Sequence, residues 1–199
     1  MQKIIVIDLD GTLIKKNSFP MWIFNLLKCS FFSFNLKVFL TVIFLLIKRK
    51  LNILSHKEFK FELMSLNYPL DFDKKFALIL KEHVNEKVEN CLKEMSGTIV
   101  ISTAAPKNYV RFFLETLDIN VEYFHSSYID EFGLLFENLS ENKVVSFLNS
   151  FPNSDCDIFF TDHSEDEPMI NFSKKTYLVS PKNKTKEILK NNSSDIVIL

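Results

Sequence analysis

Asp8 and Asp10 stand two residues apart, directly after Lys3-Ile4-Ile5-Val6-Ile7 and directly before Gly11-Thr12. The apolar, β-branched run predicts a buried strand of a parallel sheet. The two carboxylates then fall at its C-terminal tip, with a glycine that lets the chain turn at once. If strand geometry persists, side chains two apart share a face. One can attack while the other donates or accepts a proton. Asp and Gly also make ordinary polar turns, so the assignment depends on the rest of the chain.

Three further segments carry groups suited to the same chemistry. Thr98-Ile99-Val100-Ile101 runs into Ser102-Thr103-Ala104-Ala105-Pro106, and a helical pattern follows over 108–117. A helix N-terminus near Thr103 favours an anion; Ser102 and Thr103 would equally cap that helix, and the two readings are compatible. Asp157-Ile158-Phe159-Phe160-Thr161 leads into Asp162-His163-Ser164-Glu165-Asp166. That acidic run starts immediately after a strand, as the first one does, whereas most charge runs are solvated loops. Lys143 opens an amphipathic helix whose apolar positions are 144, 145, 147 and 148. A cation at that end is disfavoured by the helix dipole, which hints at a local task.

Together, Asp8-Leu9-Asp10-Gly11-Thr12, Thr103 after a strand, Lys143, and Asp162 with Asp166 resemble the four motifs of the haloacid dehalogenase superfamily, in the same order. The resemblance covers both ends and the middle of the chain but not residues 15 to about 90. It implies that Asp8 is a nucleophile taking a phosphoryl group and that Asp10 is a general acid and base. Asp8, the Asp10 backbone carbonyl and Asp162 would hold Mg²⁺. Asp166 would support the metal through water or orient Lys143, and Thr103 and Lys143 would bind the phosphoryl oxygens. Gathering such acids is costly: at 4 Å and an effective dielectric of about 20, each like-charge pair repels by roughly 4 kcal/mol. A divalent cation reverses that sign, and an all-oxygen donor set suits Mg²⁺. An acid at position 10 followed by Gly11-Thr12 resembles the superfamily's phosphatases rather than its dehalogenases or ion pumps. Thr161 departs from the pattern, since a glycine is usual there, and so does His163, where a small polar residue is common.

The elements that must position these groups read as an α/β core. Further strands are predicted at 121–125, 157–161 and 176–179, a hairpin or flap around 126–137, and an edge strand at 195–199. The resemblance implies a doubly wound parallel sheet of Rossmann-like type, formed by 1–14 and 96–199, with a helical cap inserted at 15–95. Cap placement and the Ser-Thr-Ala-Ala-Pro segment resemble the branch of phosphoserine phosphatases and phosphatidylglycerophosphate phosphatases. Within 15–95 the stretch 31–47 is strongly apolar, yet Asn35 and Lys37 interrupt it, and a span needs about 20 residues. A single crossing would also separate Asp8 from Thr103, Lys143 and Asp162. The stretch is therefore expected to be a buried or partner-facing cap helix, ahead of one that touches a membrane surface through Lys48-Arg49-Lys50.

At 199 residues the chain can bury a full core. A net charge of −1 gives no bulk attraction to nucleic acid. Cys29, Cys91 and Cys156 show no paired or metal-like spacing and fit a reducing compartment. The four histidines make no cluster. With the core strand at the very start, no signal peptide is expected, and the protein is read as cytoplasmic, at the inner face of the membrane if the cap meets lipid. The expected activity is Mg²⁺-dependent phosphomonoester hydrolysis through an aspartyl phosphate, on a lipid-linked or partly apolar phosphate. The alternatives are a small soluble substrate such as a sugar phosphate or phosphoserine, and an idle scaffold that binds a partner through the cap. A homo-oligomer is compatible with either.

Overall fold

The computed structural model describes residues 3–189 and 195–199; residues 1–2 and 190–194 of the expected core range lie outside the described residues. Ile4–Ile7 (β1) is the middle of a seven-stranded sheet. On one side it pairs in parallel with Thr98–Pro106 (β2), which pairs in parallel with Tyr123–Ile129 (β3). On the other side it pairs in parallel with Cys156–Thr161 (β5), followed by Ser173–Leu178 (β6) and Asp195–Ile198 (β7). Leu135–Phe136 (β4) closes the far edge antiparallel to β3, so the sheet is parallel except for this short strand. The direction of winding reverses at β1. A crevice opens there outside the carboxyl ends of the strands, which is where α/β sheets place their chemistry.

Alternation along the strands splits the core in two. Ile5, Ile7, Ile99, Ile101 and Phe160 face one hydrophobic cluster. Ile4, Val6, Val100 and Phe159 face another, which also contains Phe147, Met169 and Ile170. The first cluster continues into Lys107–Leu114 (α6) and into five helices that stand between β1 and β2. These are Ser18–Phe32 (α1), Leu36–Lys50 (α2), His56–Met64 (α3), Asp71–Lys81 (α4) and Glu86–Glu94 (α5). The second face carries Glu141–Ser150 (α7) and Glu167–Phe172 (α8); Asn183–Ile188 (α9) precedes β7.

The helix starts follow from local chemistry. The Asn17 side chain accepts from Phe19 N, and the Asn35 side chain from Val38 N. Ser55 and Glu58 form a capping box, with Ser55 N donating to Glu58 Oε2 (2.7 Å) and Glu58 N to Ser55 Oγ (3.1 Å). The five-helix segment is locked to the core around Trp22, whose ring lies 5.5 Å from Tyr109 of α6 and whose Nε1 donates to Asp73 Oδ1 of α4 (2.7 Å).

Several boundaries differ from the sequence reading. β2 does not end at the hydroxyl residues: it continues to Pro106, with a register irregularity against β3 between Ser102 and Pro106. Ser102 and Thr103 are thus strand residues and cap no helix, and α6 begins only at Lys107. β3 runs on to Ile129 and absorbs the start of the expected flap, which turns at Asp130–Gly133. The apolar stretch 31–47 is not one helix. It is divided where Phe34 adopts φ 55°, between α1 and α2. No described helix is long and apolar enough to cross a membrane.

Candidate active site

Parallel pairing fixes Asp8 at the crevice, because Asp8 N donates to Phe160 O of β5 (2.9 Å) and extends the ladder by one residue. The chain then folds back on itself: Leu13 N donates to Asp8 O and Ile14 N to Leu9 O. Gly11, at φ +78°, makes this turn, and a Cβ added there would overlap the Asp162 carboxylate. Position 11 therefore needs glycine twice, for its backbone angle and for the closeness of Asp162. Asp10 is oriented by the first turn of α1. Ser18 N donates to Asp10 Oδ1 (2.8 Å), and the Ser18 hydroxyl is 2.7 Å from Tyr109 Oη.

Lys143 is only 2 % exposed. Its Nζ lies 2.7 Å from Asp8 Oδ1 and 2.7 Å from Asp166 Oδ1. The residue at its helix's N-terminal edge, Ser140, has φ 54° and ψ −124°, a conformation costing of the order of 1–3 kcal/mol for a non-glycine residue. Asp166 is held in turn by Thr161, whose hydroxyl donates to Asp166 Oδ2 (2.7 Å). With one carboxylate oxygen on Lys143 and the other on Thr161, Asp166 is placed to orient the lysine. The threonine that departs from the expected glycine thus has a definite partner. His163 is more peripheral: its Nδ1 accepts from Glu165 N at the cavity rim.

Thr103 is buried, and its Oγ1 accepts from Ala105 N (3.0 Å). The segment around it is fastened by side chains that the sequence reading did not single out. Asn138 Nδ2 donates to Ser102 Oγ, Thr103 O and His125 O, while its Oδ1 accepts from Ser146. Lys60 of α3 reaches Ala104 O (2.7 Å), Ser127 Oγ (3.0 Å) and Glu137 Oε1 (3.0 Å), tying the inserted helices to the strand tips. Lys60 had a readable signal. It falls on the apolar face of α3, next to Phe59 and three or four residues before Leu63 and Met64. Asn138 had none.

Asp8, Asp10, Thr103, Lys143, Asp162 and Asp166 all line one cavity of about 490 Å³, with Lys15, Lys16 and Lys182 also on its wall. Burial pushes Asp8 above the usual carboxylate range. Lys143 pulls it back, but Asp166 and Asp10 add repulsion. Burial also lifts Asp10, to about 6, against the hydrogen bonds from Ser18. Asp162 is raised by burial too, with His163 opposing. Burial works against the Lys143 charge, yet Asp166 and then Asp8 outweigh it and hold the ammonium above its ordinary value. Both members of the Asp8–Lys143 pair are therefore raised: burial lifts the carboxyl more than a shared ammonium can lower it, while two carboxylates hold the ammonium charged. Beside Asp8, Lys143 faces both Asp166 and Asp10, so positive charge is short at that point although Lys15, Lys16 and Lys182 lie on the cavity wall.

That deficit fits a cation. Among the described residues no three His, Cys, Asp or Glu side chains form a ready-made metal cluster. A cation here would instead rest on two carboxylates, Asp8 and Asp162, and the Asp10 carbonyl, with water and substrate completing its shell. Mg²⁺ is usually bound that way.

No protein-family model matches the sequence, and no curated protein matches it. Solved structures do share its fold. A protein of unknown function from Bordetella pertussis Tohama I has a TM-score of 0.76 at 13% identity, covering 99% of each chain. A HAD family hydrolase from Salmonella enterica serovar Typhi has a TM-score of 0.60 at 11% identity, over 98% of this chain and 67% of that one. A phosphoserine phosphatase in a phospho-aspartyl intermediate analogue has a TM-score of 0.57 at 14% identity, over 99% and 93%. At these identities the likeness is one of fold, shared with a HAD family hydrolase and a phosphoserine phosphatase.

Proposed function

We propose that this haloacid dehalogenase-fold protein is a Mg²⁺-dependent phosphomonoester hydrolase that works through an aspartyl phosphate, with residues 15–95 as its cap. The observation that carries the reading is the single ammonium of Lys143 held 2.7 Å from both Asp8 and Asp166 at the mouth of β1. Asp8 attacks phosphorus and the ester oxygen leaves. Asp10, held by Ser18 N and with a carboxyl lifted to about 6, is protonated near neutral pH more often than an ordinary carboxyl and delivers that proton to the oxygen. The same carboxylate then takes a proton from the water that attacks the aspartyl phosphate. Lys143 and Thr103 hold the phosphoryl oxygens as negative charge shifts among them. Asp8, the Asp10 carbonyl and Asp162 would hold Mg²⁺, which would supply the missing positive charge and keep Asp8 and Asp162 ionised.

The substrate we favour is a lipid-linked phosphomonoester. Lys15, Lys16 and Lys182 on the cavity wall suit a substrate with further anionic or polar groups close to the phosphate. The exposed apolar surface of the inserted helices suits a substrate with an apolar remainder. A small soluble phosphomonoester is the second reading, favoured by the cavity itself, whose apolar lining is little more than Ala104 and Leu139. An idle scaffold would have no use for the Lys143–Asp166–Thr161 relay. Turnover of p-nitrophenyl phosphate and of a phosphomonoester panel, including lipid phosphates in micelles, tests the proposal. Hydrolysis should appear with Mg²⁺ and vanish with EDTA. Failure to turn over any phosphomonoester in Mg²⁺ would overturn it.

A further inference from the structure

The α1–α2 hairpin presents an apolar surface that folding does not use. Along α2, Val38, Val42 and Leu45 are buried against α1 and α3. On the opposite face Leu36, Leu40, Phe44, Ile47 and the following Leu51 form a second apolar stripe, all exposed. That spacing of three and four residues puts them on one line of the helix. At the hairpin apex Phe32 is 70 % and Phe34 85 % exposed, and the Phe31 ring lies 5.5 Å from both Phe32 and Phe39. Phe34 occupies a left-handed backbone position, at φ 55°. Glycine or asparagine suits such a site, and a bulky side chain is an outlier there. With about 200 Å² per phenylalanine, Phe31, Phe32 and Phe34 alone show about 400 Å². The stripe adds a similar area, so the whole exceeds the largest patch of a typical soluble monomer.

The charge pattern names the occupant. From Gly11 to Lys57 the chain contains eight Lys and Arg and no Asp or Glu. Everything else carries sixteen basic against twenty-five acidic residues. Lys37 at the apex and Lys50 at the far end of the stripe are exposed, and Lys48 lies 4.5 Å over the Phe44 ring. Lysines flanking an apolar stripe can lay their stems along it while keeping the ammonium in water. A second copy seated on this face through a two-fold axis would set these basic residues against themselves.

We infer that the outer face of the α1–α2 hairpin docks on an anionic phospholipid surface, with the apex phenylalanines among the acyl chains and the lysines at the headgroups. The arrangement matches helices that lie in the membrane interface, where buried apolar area and attraction to anionic lipid act together. This inference stands without the catalytic reading, because it concerns a surface formed by other residues.

Vesicle co-sedimentation of the full chain tests it independently of turnover. The protein should pellet with phosphatidylglycerol-containing vesicles at low salt, less with phosphatidylcholine alone, and less again at high salt, as the Debye length falls below about 10 Å. The double variant F32S/F34S should lower binding by about tenfold or more, with circular dichroism and thermal midpoint unchanged. The variant K37E/K50E should remove the preference for anionic vesicles. No pelleting with anionic vesicles at low salt would overturn the inference. So would undiminished binding by both variants, or a vesicle-free dimer that F32S/F34S converts to monomer, which would assign the face to a second copy of the chain.

Discussion

The cavity beneath β1 and the α1–α2 hairpin break the usual partition of residues in opposite senses. The first buries charge: Asp8, Asp166 and Lys143 are each less than a tenth exposed. The second exposes phenylalanine and leucine over two helices. Each buried charge has a named partner, Lys143 on Asp8 and Asp166, and Asp166 on Thr161. An uncompensated charge in the interior costs several kcal/mol, so partners are required. The exposed phenylalanines meet one another or, for Phe44, Lys48, and still face water, which tolerates an apolar side chain far better than a protein interior tolerates a bare charge. The inverted polarity of the first region is largely balanced by pairs within the chain, with the remaining deficit suited to one bound cation. That of the second awaits something outside it.

The sharpest way to break this comparison is to remove the nucleophile. Asp8→Asn should lower turnover by more than about 10⁴-fold, because an amide cannot carry the phosphoryl group; steady-state hydrolysis of p-nitrophenyl phosphate reads this. Asp10→Asn should cost about 10²–10⁴-fold. The loss in the phosphorylation step should be smaller for aryl than for alkyl esters, since a good leaving group needs little protonation. Equal losses in single-turnover experiments would deny Asp10 the acid role. Lys143→Ala should lower phosphoryl transfer by about 10²–10³-fold and cost about 3–5 kcal/mol of stability, because Asp8 and Asp166 lose their shared partner. Kinetics and denaturant melts check the two parts separately.

Smaller effects set the two regions side by side on one helix. Trp22 and Phe32 both belong to α1, but Trp22 is fully buried and Phe32 faces out. Trp22→Ala should cost about 3–5 kcal/mol, whereas Phe32→Ser should change stability by no more than about 0.5 kcal/mol. A large loss from Phe32→Ser in a denaturant melt would mean that the hairpin face is packed in solution, and the contrast drawn here would fail.

Asp8 and Asp162 were readable because each directly follows an apolar strand, β1 and β5. Parallel strands deliver their C-terminal neighbours to one edge. What the sequence did not reveal is how that edge is fastened. Asn138 reaches Ser102 across 36 positions and Lys60 reaches Ser127 across 67; Ser102 and Lys60 each stood out locally, but no local pattern joins them to these distant partners. The extension of β2 past Thr103 was hidden for a related reason: small and hydroxyl residues read as a strand end, whereas here β3 pairs with Ser102 and again with Pro106 and keeps the segment in the sheet. The hairpin was ambiguous in another way. The inward set 38, 42, 45 and the outward set 36, 40, 44, 47 have the same helical spacing, so periodicity shows two apolar faces without saying which is covered. The acid-free run from Gly11 to Lys57 was the available clue to the exposed one.

The central claim is that Asp8 becomes phosphorylated, and acid-quench labelling tests it most directly. The full chain would be mixed with a radiolabelled phosphomonoester and Mg²⁺, quenched in acid within one turnover, and digested. Label is expected on the peptide containing Asp8, released by hydroxylamine as an acyl phosphate should be, and absent from Asp8→Asn. Turnover that proceeds at full rate in Asp8→Asn with no covalent label would contradict it.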